Sequence, residues 1–385
     1  MEYNLTSEQA QMREKAHLFV KEFVEPYTVE YDRKEEYPRE LLRNLAEAGF
    51  LGYPFPKEYG GGGGSYLAFV TVAEELARAD ASASVIMLLN PSLVATPIFL
   101  GGTEEMRKRF LPLLFSGELL GCFCLTEPEA GSDVASLKTS AEISGDEFII
   151  NGEKIFIQQG DVADMGIVVC RVKVGKEKPK ISVILVEDLN DRAVQRRRLQ
   201  RKMGIRAATT GHLVFKNLRV PRKNLIGEIG DGFKIIFETL NGGRLGIGAQ
   251  AVGIAQGAFD RAFKRAKQRV QFGRPIIEIG AIESKIAEMA TKLEAARSLL
   301  YRAACAKDAK QDYRVLACMA KLFASEVANE VAYDAVQVCG GSGYIGELSD
   351  VEKFYRDARI TEIYEGTSEI QRLLITRYLK EQSFE

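Results

Sequence analysis

The hydrophobic period of this chain changes twice, and that change constrains the fold more than any other feature. To about residue 118 apolar residues recur at helical spacing. From 119 to about 220 they fall into short runs divided by turn residues, and from about 230 helical spacing returns. Helix, then strand, then helix calls for segregated layers. We therefore expect an α+β, mainly α fold: a helical N-terminal domain over 1–120, a small β-barrel or sandwich domain over 121–228 and a C-terminal four-helix bundle over 229–385.

Local signals fill in the layers. Thr6 and Gln9 have capping-box spacing ahead of an amphipathic run to about Tyr31, and Pro38 opens a helix that stops at Gly49. Further helices are expected near 66–79, 83–89 and 103–116, the last between Thr103 as N-cap and Gly117. The glycine run 60–64 lacks the GKS/T ending and the strand-then-helix setting of a phosphate loop, and reads as a flexible connection. In the middle segment 119–125 is a compact apolar run. Asn151-Gly152 stands between two strand-like segments as a hairpin turn, and more strands are expected near 166–172, 181–186 and 212–217. The basic run 196–198, followed by Arg201 and Lys202, reads as a solvated face, with a phosphate or partner contact as the alternative. In the last third Ile282, Ile286, Met289, Leu293, Ala296 and Leu300 form an apolar seam, and similar patterns over 231–268 and 314–338 complete a bundle fit for self-association.

Composition narrows the chemistry. Lys plus Arg number 52 against 53 Asp plus Glu, so nothing marks a nucleic-acid binder. No apolar run approaches the roughly 20 residues of a bilayer span, and residues 1–5 resemble neither a signal nor a transit peptide, which leads us to expect a cytoplasmic protein without membrane insertion. Two histidines and six cysteines without a CxxC pair argue against a metal site, a disulfide framework and histidine-centred catalysis. The hard chemistry is then expected to come from a cofactor. The place for it is the stretch 363–371. There Glu365 precedes Gly366, Thr367 is a helix N-cap, and Ile370, Leu373, Leu374 and Tyr378 continue at helical spacing. A carboxylate at such a helix mouth is a general base in one reading and an ordinary loop carboxylate in the other.

Five motifs in order resemble the acyl-CoA dehydrogenases: 123–133 (FCLTEPEAGSD), 241–244 (NGGR), 269–273 (RVQFG), 337–341 (QVCGG) and 364–367 (YEGT). The resemblance covers nearly the whole chain. It implies FAD as cofactor, an acyl-CoA thioester as substrate, electron-transfer flavoprotein as acceptor and a homotetramer built as a dimer of dimers. Glu365 then removes the α-proton while a hydride leaves the β-carbon for the flavin. Ser132, Asn241, Arg244, Tyr364 and Gly366 match substrate-side positions. Phe123, Leu125, Thr126, Gly131, Ser132, Phe156, Gln158, Thr367 and Glu369 match flavin-side positions. Arg269, Phe272, Gln337, Val338, Gly340 and Gly341 match contacts to the ADP half of FAD across a subunit interface.

Four features depart from or refine the pattern. Relatives carry Trp-Ile-Thr-Asn where this chain reads 156–159 as Phe-Ile-Gln-Gln, and the Gln158 amide is able to donate to the flavin. Asn241 stands where an aspartate is common, and 89–92 differs in the region that shapes the far end of the acyl pocket. Gly243 occupies the alternative base position of some relatives, which favours Glu365. An acyl-CoA oxidase, a desulfinase-like enzyme and a non-catalytic flavoprotein partner are the competing readings.

Overall fold

The computed structural model describes residues 5–175 and 177–381. Seven helices come first: α1 (Ser7–Phe23), α2 (Thr28–Lys34), α3 (Arg39–Glu47), α4 (Tyr66–Ala79), α5 (Ala81–Leu89), α6 (Thr96–Gly101) and α7 (Glu104–Phe115). The strands follow: β1 (Gly121–Cys124), β2 (Ser140–Ser144), β3 (Glu147–Gln158), β4 (Met165–Lys173), β5 (Lys180–Val186), β6 (Val194–Arg198), β7 (Thr210–Pro221) and β8 (Leu225–Ile226). Then come α8 (Gly232–Gln268), the ribbon β9 (Val270–Gln271) and β10 (Arg274–Pro275), α9 (Gly280–Asp308), α10 (Arg314–Cys339), α11 (Gly341–Tyr344), α12 (Val351–Ala358) and α13 (Ser368–Glu381).

The helix caps act as the sequence requires. Thr6 and Gln9 exchange reciprocal side-chain bonds at the start of α1, and Thr103 accepts from the Met106 N–H at the start of α7. Pro26 breaks the first run into α1, a 3-10 turn and α2. Two expectations change in this region. Helix does not stop at 89: Asn90–Ala95 forms a π turn that accommodates Pro91 and joins α5 to α6. The resulting stretch, Ala81–Gly101, is 21 residues long with mean hydropathy 1.8, so an apolar run of bilayer length does exist; 78% of its most apolar window is buried, as in a core helix. Nor is 60–64 a flexible connection. The N–H groups of Gly62, Gly63 and Gly64 are spent on the carbonyls of Gly52, Phe55 and Tyr53, and a Cβ at Gly64 would lie 2.1 Å from the Tyr53 ring.

The strands form one mixed sheet in the order β6-β7-β3-β2-β4-β5-β8, with β1 parallel to β4. Alternation along β1, β4 and β5 divides their side chains between two cores. Cys122, Cys124, Val168, Cys170 and Ile184 enter one. Phe123, Ile167, Val169, Val183 and Leu185 enter the other, which also takes Ile98 of α6, Phe110 of α7 and Ile235 of α8.

Asn151-Gly152 is not a hairpin turn. It lies inside the twelve-residue β3 at a bulge against β7, where Asn151 exchanges bonds with Asn217; Gly145-Asp146 joins β2 to β3. The basic run is also more than a solvated face. Residues 194–198 are β6, Arg196 donates to the Ala163 carbonyl (2.7 Å) and Arg198 to Asp161 (2.7 Å), leaving Arg197 exposed. Lys202 turns inward to the carbonyls of Ile205 (2.8 Å) and Ala208.

The two helical regions, separate in sequence, share one core. α4 packs on α8 so closely that a Cβ at Gly253 or Gly257 would lie 2.3 Å from the carbonyl oxygen of Glu74 or Arg78. α8, α9 and α10 pack on one another, and α13 lies on α10. The segment between α12 and α13 is therefore set against the middle of α8.

Candidate active site

α12 ends in a 3-10 turn (Arg359–Glu362), and the chain then passes through two left-handed residues, Glu365 (φ 52°) and Gly366 (φ 93°). For a glutamate that conformation costs about 1–2 kcal/mol, so something must hold it. Gln371, from the first turn of α13, donates to the carbonyls of Glu365 (3.2 Å) and Gly366 (2.9 Å). Lys321 of α10 donates to the same Gly366 carbonyl (2.8 Å), and the Thr367 hydroxyl accepts from the Ile370 N–H (3.3 Å).

The loop presses the Glu365 carboxylate onto a gap in α8. A Cβ at Gly243 would lie 1.9 Å from Glu365 Oε2. That oxygen is buried and has no hydrogen-bond partner. Burial lifts the Glu365 carboxyl to about 7, against the opposing pull of Arg244 and Lys321. Arg244 is itself buried. Its Nη1 donates to Asn241 Oδ1 (2.5 Å), while its Nε is buried without a partner. A buried acceptor and a buried donor left open around one loop are what a polar ligand is needed to satisfy. Tyr364 anchors the loop from the other side: its hydroxyl meets Gln250 Oε1, and Gln250 donates onward to the Ala81 carbonyl (3.0 Å).

A second group lies where β1 runs on into the loop before β2. Phe123 is buried. The Leu125 carbonyl accepts from Lys154 (2.9 Å), and the Thr126 carbonyl accepts from the Ile155 N–H (2.9 Å). Beneath them Glu127 receives Lys154 (2.7 Å) and the N–H groups of Lys138 (2.5 Å) and Thr139 (2.9 Å). Gly131 and Ser132 are exposed, and nothing lies within 4 Å of a Cβ at Gly131. Phe156, left-handed at φ 59°, exposes 67% of its surface. Gln158 differs from expectation. Both donors of its amide go to backbone carbonyls, Ala208 (2.6 Å) and Thr209 (2.9 Å), so the amide braces the 208–209 segment and has no N–H left for a flavin.

A third group stands apart. Arg269, where α8 ends, is 25 residues beyond Arg244, roughly 37 Å along the helix axis at 1.5 Å per residue. Phe272, at the turn of the β9–β10 ribbon, is 95% exposed. Gln337 and Val338 lie in the last turn of α10, Gly340 follows its end and Gly341 opens α11, where Arg265 reaches Ser342 (3.2 Å). Cβ atoms at Gly340 and Gly341 would meet nothing within 4 Å. Glu369 is exposed at the start of α13, its carboxyl held low by its own N–H and the Thr367 hydroxyl.

Sequence reasoning missed Lys321, Gln371 and the Lys154–Glu127 pair. Lys321 had a signal: it falls on the inward stripe Ala317, Ala320, Ala324 and Ala328 of α10, where a lysine needs a reason. Gln371 had none, since its role depends on a left-handed turn that residue types do not announce.

The donor set suits a flavin dinucleotide: an exposed aromatic at Phe156, free hydroxyl chemistry at Thr126 and Ser132, and open glycines at 131, 340 and 341 for close backbone approach. Similarity to known proteins agrees. Family profiles described as Acyl-CoA dehydrogenase N-terminal domain, middle domain and C-terminal domain match residues 6–118, 122–218 and 230–380. The chain is 42% identical over 376 residues to the short-chain specific acyl-CoA dehydrogenase of Clostridium acetobutylicum, covering 98% of this chain and 99% of that one. Butyryl-CoA dehydrogenase from Megasphaera elsdenii has the same fold (TM-score 0.94, 40% identity, 99% and 100% of the two chains). So does a chain from structural work on the electron transferring flavoprotein of Acidaminococcus fermentans (TM-score 0.95, 41% identity, 99% and 100%). With all three domains of one architecture matched along the chain, it belongs to the acyl-CoA dehydrogenase family of FAD-dependent oxidoreductases.

Proposed function

We propose that the protein oxidises a short-chain acyl-CoA thioester to the 2-enoyl-CoA with Glu365 as general base. The observation that carries this is Glu365 Oε2: buried, unpartnered, backed by Gly243 and lifted to about 7, close to the value at which a carboxylate is both ionised and basic. Bound FAD supplies the acceptor for the hydride that leaves the β-carbon. Glu365 takes the α-proton. Its N–H donates to no protein acceptor among the described residues and is available to the thioester oxygen as charge develops there. Arg244 brings positive charge to the site, and Asn241 fixes the guanidinium. Phe123, Thr126, Ser132 and Phe156 would hold the flavin end of FAD.

Short chain length is inferred from the Clostridium and Megasphaera relatives, and electron-transfer flavoprotein as acceptor from the Acidaminococcus work. The roughly 37 Å between Arg244 and Arg269 supports the reading that the third group serves the FAD of a second copy, within a homotetramer. Sedimentation tests that part: a monomer with full FAD occupancy removes it.

Anaerobic titration with straight, branched and cyclic acyl-CoAs, following the oxidised flavin's visible absorbance, tests the activity. Butyryl-CoA is expected to bleach the flavin. Bound FAD that no thioester bleaches overturns dehydrogenation, and rapid oxygen consumption without an added acceptor reassigns the protein as an oxidase.

A further inference from the structure

Lys321 is fully buried in α10, and its position is hard to explain by stability. Burying an ammonium costs several kcal/mol unless carboxylates receive it. Lys154 meets the Glu127 carboxylate at 2.7 Å, and Lys353 meets those of Asp357 and Asp80 at 2.6 and 3.1 Å. Lys321 makes no such ion pair among the described residues; its one hydrogen bond goes to the Gly366 carbonyl. It reaches the loop from α10, while Gln371 reaches the same carbonyl from α13. The two donors thus hold the Gly366–Thr367 peptide, which directly follows the two left-handed residues Glu365 and Gly366.

We propose that Lys321 is a positioning residue for the base: it pins the Glu365–Gly366 turn through the Gly366 carbonyl and supplies the positive charge behind the carboxylate. This rests on Glu365 being the base.

The groups facing the carboxylate are few. Arg244 comes from α8, Lys321 from α10, Tyr364 from the loop and Tyr66 from α4; Lys321 in turn feels the attraction of Glu365, Glu362 and Glu369 and the repulsion of Arg244, and the buried Cys318 thiol faces both cations. Arg244 is tied to Asn241, which leaves Lys321 as the cation attached to the loop itself. Burial lowers Lys321 to about 8, and the Glu365 carboxylate supports its charge. The support is mutual, so removing the lysine moves Glu365 upward from about 7.

The test uses the FAD-loaded full chain with Lys321→Gln, which loses the charge but retains a donor for Gly366, and Lys321→Met, which loses both. Glu365→Gln is the control. Protonation of Glu365 is followed by the infrared carbonyl band that disappears in Glu365→Gln, and independently by the acidic limb of kcat/KM. Both lysine variants are expected to shift band and limb alkaline by about one unit, and Lys321→Met to lose about a further tenfold in kcat with little change in KM. Lys321→Arg, which retains the charge, should return the limb to its original position. If Lys321→Met does not fold, Lys321→Gln and Lys321→Arg decide the matter. An unmoved band and limb in Lys321→Gln, with Glu365→Gln inactive, overturns the role of Lys321 and leaves the base intact; an active Glu365→Gln overturns the base itself.

Discussion

Two lysines buried on neighbouring helices show how one residue type is used in opposite ways. Lys353 of α12 lies between Asp357 (2.6 Å) and Asp80 (3.1 Å). Asp357 also accepts from the Ile205 N–H (2.6 Å), and Asp80 caps α5 through Ser82 (2.6 Å). Burial pushes Lys353 down, but the two carboxylates outweigh it and hold its pKa well above the usual lysine range. Lys321 hydrogen-bonds only a carbonyl and is drawn by Glu365, Glu362 and Glu369 against the repulsion of Arg244, so burial prevails and brings it to about 8. The first cluster joins three elements by pairing opposite charges, Asp80 Oδ2 through its ion pair alone. The second leaves charges half-satisfied beside an open acceptor, which is where a ligand is to be expected.

The sharpest way to break this contrast is at the base. Glu365→Gln retains the shape of the site and removes its proton acceptor, so turnover should fall by about 10⁴-fold while FAD stays bound. Stability should change in the opposite sense. The native carboxyl sits at about 7 against an ordinary 4.5, so its stabilising contribution is present below about 4.5 and is lost as pH rises through 7. At pH 8 the native state carries a buried charge that the unfolded chain holds in water. Glu365→Gln should therefore be more stable than the parent by about 2 kcal/mol at pH 8 and equal to it at pH 4.5, read by denaturant unfolding at both values. For the same reason kcat/KM of the parent should rise tenfold per pH unit below about 7 and level off above it.

Lys353→Met should do the reverse: it leaves Asp80 and Asp357 buried together and should cost about 3–5 kcal/mol in chemical denaturation, while the folded fraction turns over normally. A large loss of kcat without loss of stability would erase the distinction between the two clusters. Gly243→Ala probes how tightly the base is seated. Its Cβ would meet Oε2 at 1.9 Å, so the carboxylate must move by about 1 Å or more, and turnover should fall about 10²-fold with little change in melting temperature.

Much of this was legible in sequence, and the boundary has a physical basis. Layers follow from period and caps from hydroxyl and carboxylate side chains, whereas the seating of Glu365 depends on Gly243, Lys321 and Gln371, which its own motif does not announce. Asn151-Gly152 misled because a bulge and a turn need the same residue types, and only pairing with β7 decides between them. The 60–64 run misled because glycine serves close packing as well as flexibility, and its neighbours Tyr53 and Phe55 become visible only in the fold. Gln158 offered a free amide until the 208–209 carbonyls, fifty residues on, claimed it.

The smallest effect separates the cap from the clamp. Thr367 accepts the Ile370 N–H at 3.3 Å, a long, partly buried bond at the start of a fourteen-residue helix. Thr367→Ala should cost about 1 kcal/mol, because water replaces the hydroxyl at a helix end more readily than in a core. The Gly366 carbonyl would still be held by Lys321 and Gln371, so the Glu365 turn should persist and kcat should change by less than about threefold. If Thr367→Ala instead lost as much turnover as Gly243→Ala, the left-handed turn would depend on the start of α13. The buried lysine would then be an electrostatic neighbour only, a difference that Lys321→Arg in the same background resolves, since it supplies the charge with a different reach.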